Sequence, residues 1–393
     1  MKRICGISLL LIAIQIMTTA QTHVQLVEEK INAVKDEFAP DKRTAIFNIQ
    51  AEEQTGTVIL TGETNLPDAK QKLLKELLGL STKDEINVLP GDSLGEKTYG
   101  IVTISVANLR TKPEHAAELA TQALLGMVVK VYKKSYDDWY LIQTPDSYIS
   151  WVDGDGIQRV TQEEAESWKK ADKIIYTQSF GTAYESADDK KGVVSDLVFG
   201  ALLRLTGETN GFYSVSFPDG RNAFVKKTEA DNFLHWMSER KLSADNVHST
   251  AKKFLGIPYL WGGTSVKGLD CSGFTKTVFF ANGVILPRDA SQQVFVGEKV
   301  DTENDFSQLK PGDLLFFGTR ATSTKKERIT HVAIYLGDYE FIHASGRVRI
   351  NSLNKNRSNF SKHRLTTFIR AKRLITSLNQ NGVQAIDLNN YYK

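Results

Sequence analysis

Two stretches of this chain, ELATQALLGMVVKVYKKSYDDWYLIQTPDSYISWV (118–152) and GVVSDLVFGALLRLTGETNGFYSVSFPDGRNAFV (192–225), can be laid over one another. Each passes through an apolar stretch, a glycine, an alternating strand, a polar turn and an aromatic strand. Each then reaches a Pro-Asp or Asp-Gly turn and a final aromatic strand. Short strands punctuated at regular intervals cannot build long helices or a wide layered sheet; they make small barrels. The region from Tyr99 to about Asn232 is therefore expected to be all-β, with one barrel at 97–160 and a second at 171–230. Modules of this kind usually bind rather than catalyse, so any chemistry should lie elsewhere.

The amino terminus decides which chemistry the solvent permits. MKRICGISLLLIAIQIMTTAQTH begins with Lys2 and Arg3, continues as an apolar run from Ile4 to Met17 and leaves through small residues. That is the anatomy of a secretory signal peptide, 1–20, and the run is too short to span a bilayer comfortably. Cys5 precedes the apolar core, which is the wrong place for a lipoprotein cleavage site, and cleavage is expected near Ala20. The chain has two cysteines, so export would leave Cys271 alone. An odd cysteine in an exported protein suggests a reactive thiol or an intermolecular bridge, with a buried core thiol as the bland alternative. The formal net charge of +3 is small and the basic residues are interspersed with acidic ones, which argues against a nucleic-acid partner. No other apolar segment approaches membrane-spanning length.

Residues 24–92 read as a small α+β unit. Val58, Ile59 and Leu60 favour a strand. Asn65-Leu66-Pro67-Asp68 opens a helix with Leu73, Leu74, Leu77 and Leu78 at helical spacing, and Ile86 to Leu89 is another strand. A polar helical connector is expected from about Ala230 to Ala244. Ser243 then caps a helix ending at Leu255, and Gly256 and Pro258 stop it. There a last domain, 243–375, begins, followed by a tail, 376–393.

Within that domain GLDCSGFTKTVFFANG sets Cys271 where a glycine-rich turn meets a helix expected over Ser272–Ala281. Unpaired amides and the helix dipole at such a start favour a thiolate and predict a lowered thiol pKa. The same amides suit a developing oxyanion. A base is then needed. His331 in ITHVAIYLG and His343 in EFIHASG occupy patterned strands around a Gly337-Asp338 hairpin signal. A strict two-residue turn there would put the two imidazoles on opposite faces, whereas an odd loop or a bulge would put them on the same face. Catalysis requires the second geometry, with His331 drawing the proton from Cys271 and His343 holding the imidazole.

Taken together, PYLWGG, GLDCSGF, LPRDASQQ, LKPGDLLFF, THVAIYLG and FIHASG resemble the NlpC-type cell-wall cysteine peptidases over about Ala251 to Ile375. The stretch VANLRTKPEHAAEL resembles bacterial SH3-like domains, and residues 24–92 are weakly similar to BON-type domains. The resemblance implies an α+β multidomain chain with a BON-like unit, two SH3-like barrels and a papain-like catalytic domain. It implies Cys271 as nucleophile, His331 as base, His343 as the third group and Tyr259 as the residue polarising the substrate carbonyl. The arrangement is similar to γ-D-glutamyl-L-diamino-acid endopeptidases of the dipeptidyl-peptidase VI kind, which cut peptidoglycan stem peptides bearing a free L-alanine amine. On that likeness Glu118 and Tyr148 of the first barrel reach the amine, and Trp261, Asp270, Ser272 and Asp289 line the pocket. No cofactor or metal is implied. Two departures stand out: Ala290 replaces a small hydroxyl after Arg288-Asp289, and GTRATSTKKERI (318–329) is long and basic. An amidase or acyltransferase on the same scaffold, a non-catalytic wall-binding protein and a zinc site built from Cys271, His331 and His343 are the competing readings. Exported location, periplasmic or extracellular, follows from the leader.

Overall fold

A computed structural model describes residues 23–392; the expected signal peptide lies outside them. Two compact units divide between Gly95 and Glu96. In the first, a helix at residues 23–38 precedes Phe47–Gln54 and Thr57–Thr64, an antiparallel pair, and Thr82–Val88 pairs in parallel with the second of these. The parallel pairing needs a crossover, supplied by the helix Pro67–Glu76. Pro67 sits in its first turn, where a missing N–H costs nothing. Leu73 and Leu77 are buried, but Leu78, expected on the same apolar face, is 80% exposed. The helical pattern ends at Glu76 and Leu78 lies beyond it.

In the second unit the repeat read from the sequence returns as topology. The strands Tyr99–Val102, Val106–Arg110, Leu119–Leu124, Val128–Lys134, Trp139–Gln143, Ile149–Asp153 and Ile157–Val160 form one seven-stranded sheet. A second seven-stranded sheet begins at Lys173–Tyr176 and ends at Ala230–Asn232, and its strands are arranged in the same spatial order. The all-β expectation passes over one element between them. Gln162–Lys170 is a helix, started by a reciprocal capping box between Thr161 and Glu164 and anchored by buried Trp168. The connector beyond the second sheet is less polar than its sequence suggests, since the helix Phe233–Ser238 buries Phe233 and Trp236.

The last domain is a six-stranded antiparallel sheet, ordered Glu298–Val300, Phe368–Arg373, Leu314–Thr319, Arg328–Gly337, Glu340–Ser345 and Arg347–Ser352. The helix Cys271–Phe280 packs on one face, its Phe274 and Val278 meeting Val332, Ile334 and Ala344 in a common core. Phe317, Phe341 and Phe368 fill the other face. The carboxy-terminal segment is not loose: Gln384–Ala385 pairs with Val284–Ile285, and Tyr392 packs against Phe233 and Phe280. No helix among the described residues is long and apolar enough to cross a membrane.

Candidate active site

Asp270 caps the helix that carries the thiol, its carboxylate accepting from the Gly273 amide at 2.7 Å, so Cys271 is the first helical residue. Gly273 is required by space: a Cβ there would stand 2.0 Å from the Gly263 carbonyl oxygen. This contact clamps the helix start against the W-G-G turn. The sulfur is buried, and the backbone N–H groups of Val332 and Ser272 favour its anion. They do not prevail. Burial, followed by the neighbouring Asp270 carboxylate, pushes the Cys271 thiol up to about 11. The lowered thiol pKa expected from a helix start is thus corrected: the dipole acts, but the site is dry and carries a carboxylate beside it.

The hairpin resolves the facing of the histidines. Its turn residues are Asp338 and Tyr339, both with positive φ (48° and 63°), one position later than Gly337-Asp338. That shift alone would still separate the imidazoles. A bulge between Tyr335 and Gly337 adds the missing step, leaving Ile334 opposite Ile342. Carried on, that register sets His343 opposite Ala333, and His331 two residues away shares its face. His331 Nε2 lies 2.7 Å from His343 Nδ1, and both rings are buried.

Asn351, absent from the sequence reading, fixes the direction of this chain. Its Nδ2 donates to the Asn359 carbonyl at 2.9 Å, which leaves Oδ1 to accept from His343 Nε2 at 3.0 Å. His343 Nδ1 is then an acceptor, so His331 Nε2 carries the proton and His331 Nδ1 holds a free lone pair. The backbone N–H of Val332, the residue after His331, favours the Cys271 anion, and the helix of Cys271 packs on the strand that carries His331. Burial drives the His331 pKa well below the usual imidazole value and that of His343 down to about 3. The resting pair is therefore a neutral thiol with a neutral imidazole, and proton transfer has to accompany attack on substrate. Iodoacetamide labelling of Cys271 should accordingly keep rising up to about pH 11, where an ordinary thiol of pKa about 8.5 levels off; labelling rates against pH check this. The two facing nitrogens are spent on each other, a geometry that disfavours the zinc reading.

Tyr259 is half-buried, held by its amide to the Gly346 carbonyl at 2.9 Å, and its hydroxyl pKa is raised by burial and then by Cys271. Its phenol therefore stays protonated and can donate.

Opposite lies a junction with the first barrel. Trp261 is 63% exposed, yet its Nε1 donates to the Glu118 carboxylate at 2.6 Å. Gly262 makes that approach possible: it has φ +80°, and a Cβ there would stand 2.2 Å from the Leu119 carbonyl. Arg288, also passed over in the sequence, is 1% exposed and binds Asp270 through both terminal nitrogens, at 3.1 and 2.5 Å. The same guanidinium reaches the Ser272 hydroxyl at 3.1 Å and the Thr121 hydroxyl of the barrel at 3.0 Å. With Gly262 also donating, both Asp270 oxygens are fully occupied. Buried Tyr148 and half-buried Asp289 act electrostatically on Arg288. Ala290 opens the short helix Ala290–Gln293 and is itself buried. The 318–329 segment forms the end of the hairpin leading into the His331 strand, with Gly318 opposite Ile329. Hydrogen bonds thus join Glu118 to Trp261, Asp270 to Ser272 and Arg288, and His331 to His343, while Ala290 offers no hydroxyl. Arg288 and Asn351 had a readable signal, an arginine inside LPRDASQQ and an asparagine eight residues past His343, but neither type announces its partner.

The NlpC/P60 family matches residues 256–370, and the bacterial dipeptidyl-peptidase SH3 domain matches residues 109–157. The gamma-D-glutamyl-L-lysine dipeptidyl-peptidase of Bacillus cereus is 33% identical over 238 residues, covering 58% of this chain and 68% of that protein. Its Bacillus subtilis counterpart is 31% identical over 234 residues, covering 58% and 72%. Dipeptidyl-peptidase 6 of Lysinibacillus sphaericus is 27% identical over 279 residues, covering 68% and 96%. The crystal structure of an NlpC/P60 family protein from Bacillus cereus superposes with a TM-score of 0.60 at 26% identity, covering 70% of this chain and 99% of that one.

Proposed function

The chain belongs to the NlpC/P60 family of cell-wall cysteine peptidases, and from that premise we propose that it hydrolyses the γ-D-glutamyl–L-diamino acid bond of stem peptides whose L-alanine amine is free. The observation that carries this reading is the Glu118–Trp261 hydrogen bond of 2.6 Å, which brings a carboxylate of the first barrel to the W-G-G turn beside the nucleophile. A cationic amine pays heavily to leave water, so a carboxylate already oriented by an indole N–H favours free over capped amines.

In this mechanism Cys271 attacks the γ-glutamyl carbonyl while His331 Nδ1 takes the thiol proton. His343 and Asn351 keep His331 in the tautomer that can do so. The Tyr259 hydroxyl and the Cys271 amide stabilise the oxyanion. His331 then protonates the departing amine, and water activated by the same imidazole releases the acyl group as L-Ala-γ-D-Glu. Arg288 and Asp270 hold Ser272 and the turn in place, while Tyr148 and Asp289 complete the amine end. Export to the cell envelope and a BON-like character for residues 24–92 belong to the same proposal.

The test is L-Ala-γ-D-Glu-L-Lys against its N-acetylated form. Release of L-Ala-γ-D-Glu from the free peptide, with the acetylated peptide roughly 100-fold poorer in kcat/KM, is expected. Glu118→Gln should erode that preference. Equal cleavage of both would instead favour an amidase or transferase without an amine anchor.

A further inference from the structure

The cleft has a second charged wall that the steps above leave unused. Arg364 lies on the short helix Lys362–Thr367, half-buried, with its guanidinium 5.5 Å from the centroid of the Phe317 ring. Phe317 in turn meets the His331 ring at 5.8 Å between centroids, the two planes tilted by 54°. Among the described residues no carboxylate pairs with that guanidinium and no oxygen accepts a hydrogen bond from it. Arg349 stands directly opposite His343 in the strand pairing and so projects from the same sheet face. It too has no acidic partner among the described residues, and its charge acts on Arg364. Partly buried cations are normally paired, because desolvation without a counter-charge is costly. Arg349 is exposed, so it is the half-buried, unpaired Arg364 guanidinium that calls for a counter-charge from what the cleft receives.

Their position along the cleft selects the ligand. Arg288 is bonded to Asp270 and to Thr121 of the first barrel, at the amine end. Arg364 lies over Phe317, whose ring meets that of His331, so it sits on the side of the catalytic histidines. A substrate with its free amine at Glu118 and its carbonyl at Cys271 sends its leaving residue toward Arg364. A guanidinium fork matches a carboxylate in shape and charge. We propose that Arg364, with Arg349 beside it, forms an anion subsite on the leaving-group side of Cys271 that takes a carboxylate of the diamino acid released by cleavage.

This inference rests on the stem-peptide reading above, and the experiment separates the two. The full chain is assayed on L-Ala-γ-D-Glu-L-Lys, on the same peptide with its lysine carboxylate amidated, and on the peptide with the D-glutamate α-carboxylate amidated. The wild type should prefer the lysine acid over the lysine amide by roughly ten- to a hundredfold in kcat/KM. In Arg364→Gln that ratio should fall to about one, with Arg364→Lys intermediate and the thermal midpoint confirming a folded chain. The preference for a free over an acetylated amine should survive. Equal wild-type rates on lysine acid and amide would overturn the subsite while sparing the proposed reaction. A uniform loss in Arg364→Gln with the ratio kept would reduce the residue to a support for the thiolate and overturn the proposal. Loss of discrimination at the D-glutamate carboxylate alone would move Arg364 to the other side of the scissile bond and overturn it as well. If none of the peptides is cleaved, the stem-peptide reading fails and takes the subsite with it.

Discussion

Cys271→Ala should lower kcat for release of L-Ala-γ-D-Glu by roughly 10⁶-fold, and His331→Ala by nearly as much, as for nucleophile and base acting as one unit. The reason is the resting electrostatics. With the thiol pKa at about 11 and the imidazole pKa well below its usual value, neither group is activated by itself. The thiolate exists in quantity only while His331 holds its proton. The double variant should therefore be no slower than either single one, which progress curves at high enzyme concentration can establish. His343→Ala should cost less, because it leaves the base in place and removes only the bond at 2.7 Å that orients it. A Cys271→Ala enzyme that still releases dipeptide at an appreciable rate would remove the nucleophile from the scheme.

Arg288→Met should produce the largest loss of stability. It strips the counter-charge from Asp270 while the carboxylate remains buried, a change costing about 3–5 kcal/mol, or roughly 10 °C in thermal midpoint for a unit of this size. The effect should reach beyond the catalytic domain, since the Thr121 hydroxyl of the first barrel is bound by the same guanidinium at 3.0 Å. Adding Asp270→Asn should recover part of the loss, because the amide needs no counter-ion. A double-variant cycle followed by thermal melting measures this, and strict additivity of the two losses would contradict the buried ion pair.

How far the sequence reached can be seen in particular residues. The turn spacing of 118–152 and 192–225 read out two sheets with a shared strand order, because strand length and turn chemistry are local properties. The helix Gln162–Lys170 escaped because its capping box at Thr161 and Glu164 sits inside a region dominated by strands. Among the residues of the site, Cys271 and His331 carried motifs that named their chemistry. Arg288 lay inside one, LPRDASQQ, and Asn351 in none, yet neither announced its partner, which stands 18 or 8 positions away along the chain.

By itself the sequence determined the kind of nucleophile, its place at a helix start and its candidate bases, all of which depend on spacing within a few residues. Only the tertiary structure decided that the imidazoles share a face, because a single bulge between Tyr335 and Gly337 sets the parity of the whole hairpin. It alone set the ionisation of the thiol as well. Desolvation is a property of everything packed around the sulfur, and it outweighs the helix-start amides that the local sequence could announce.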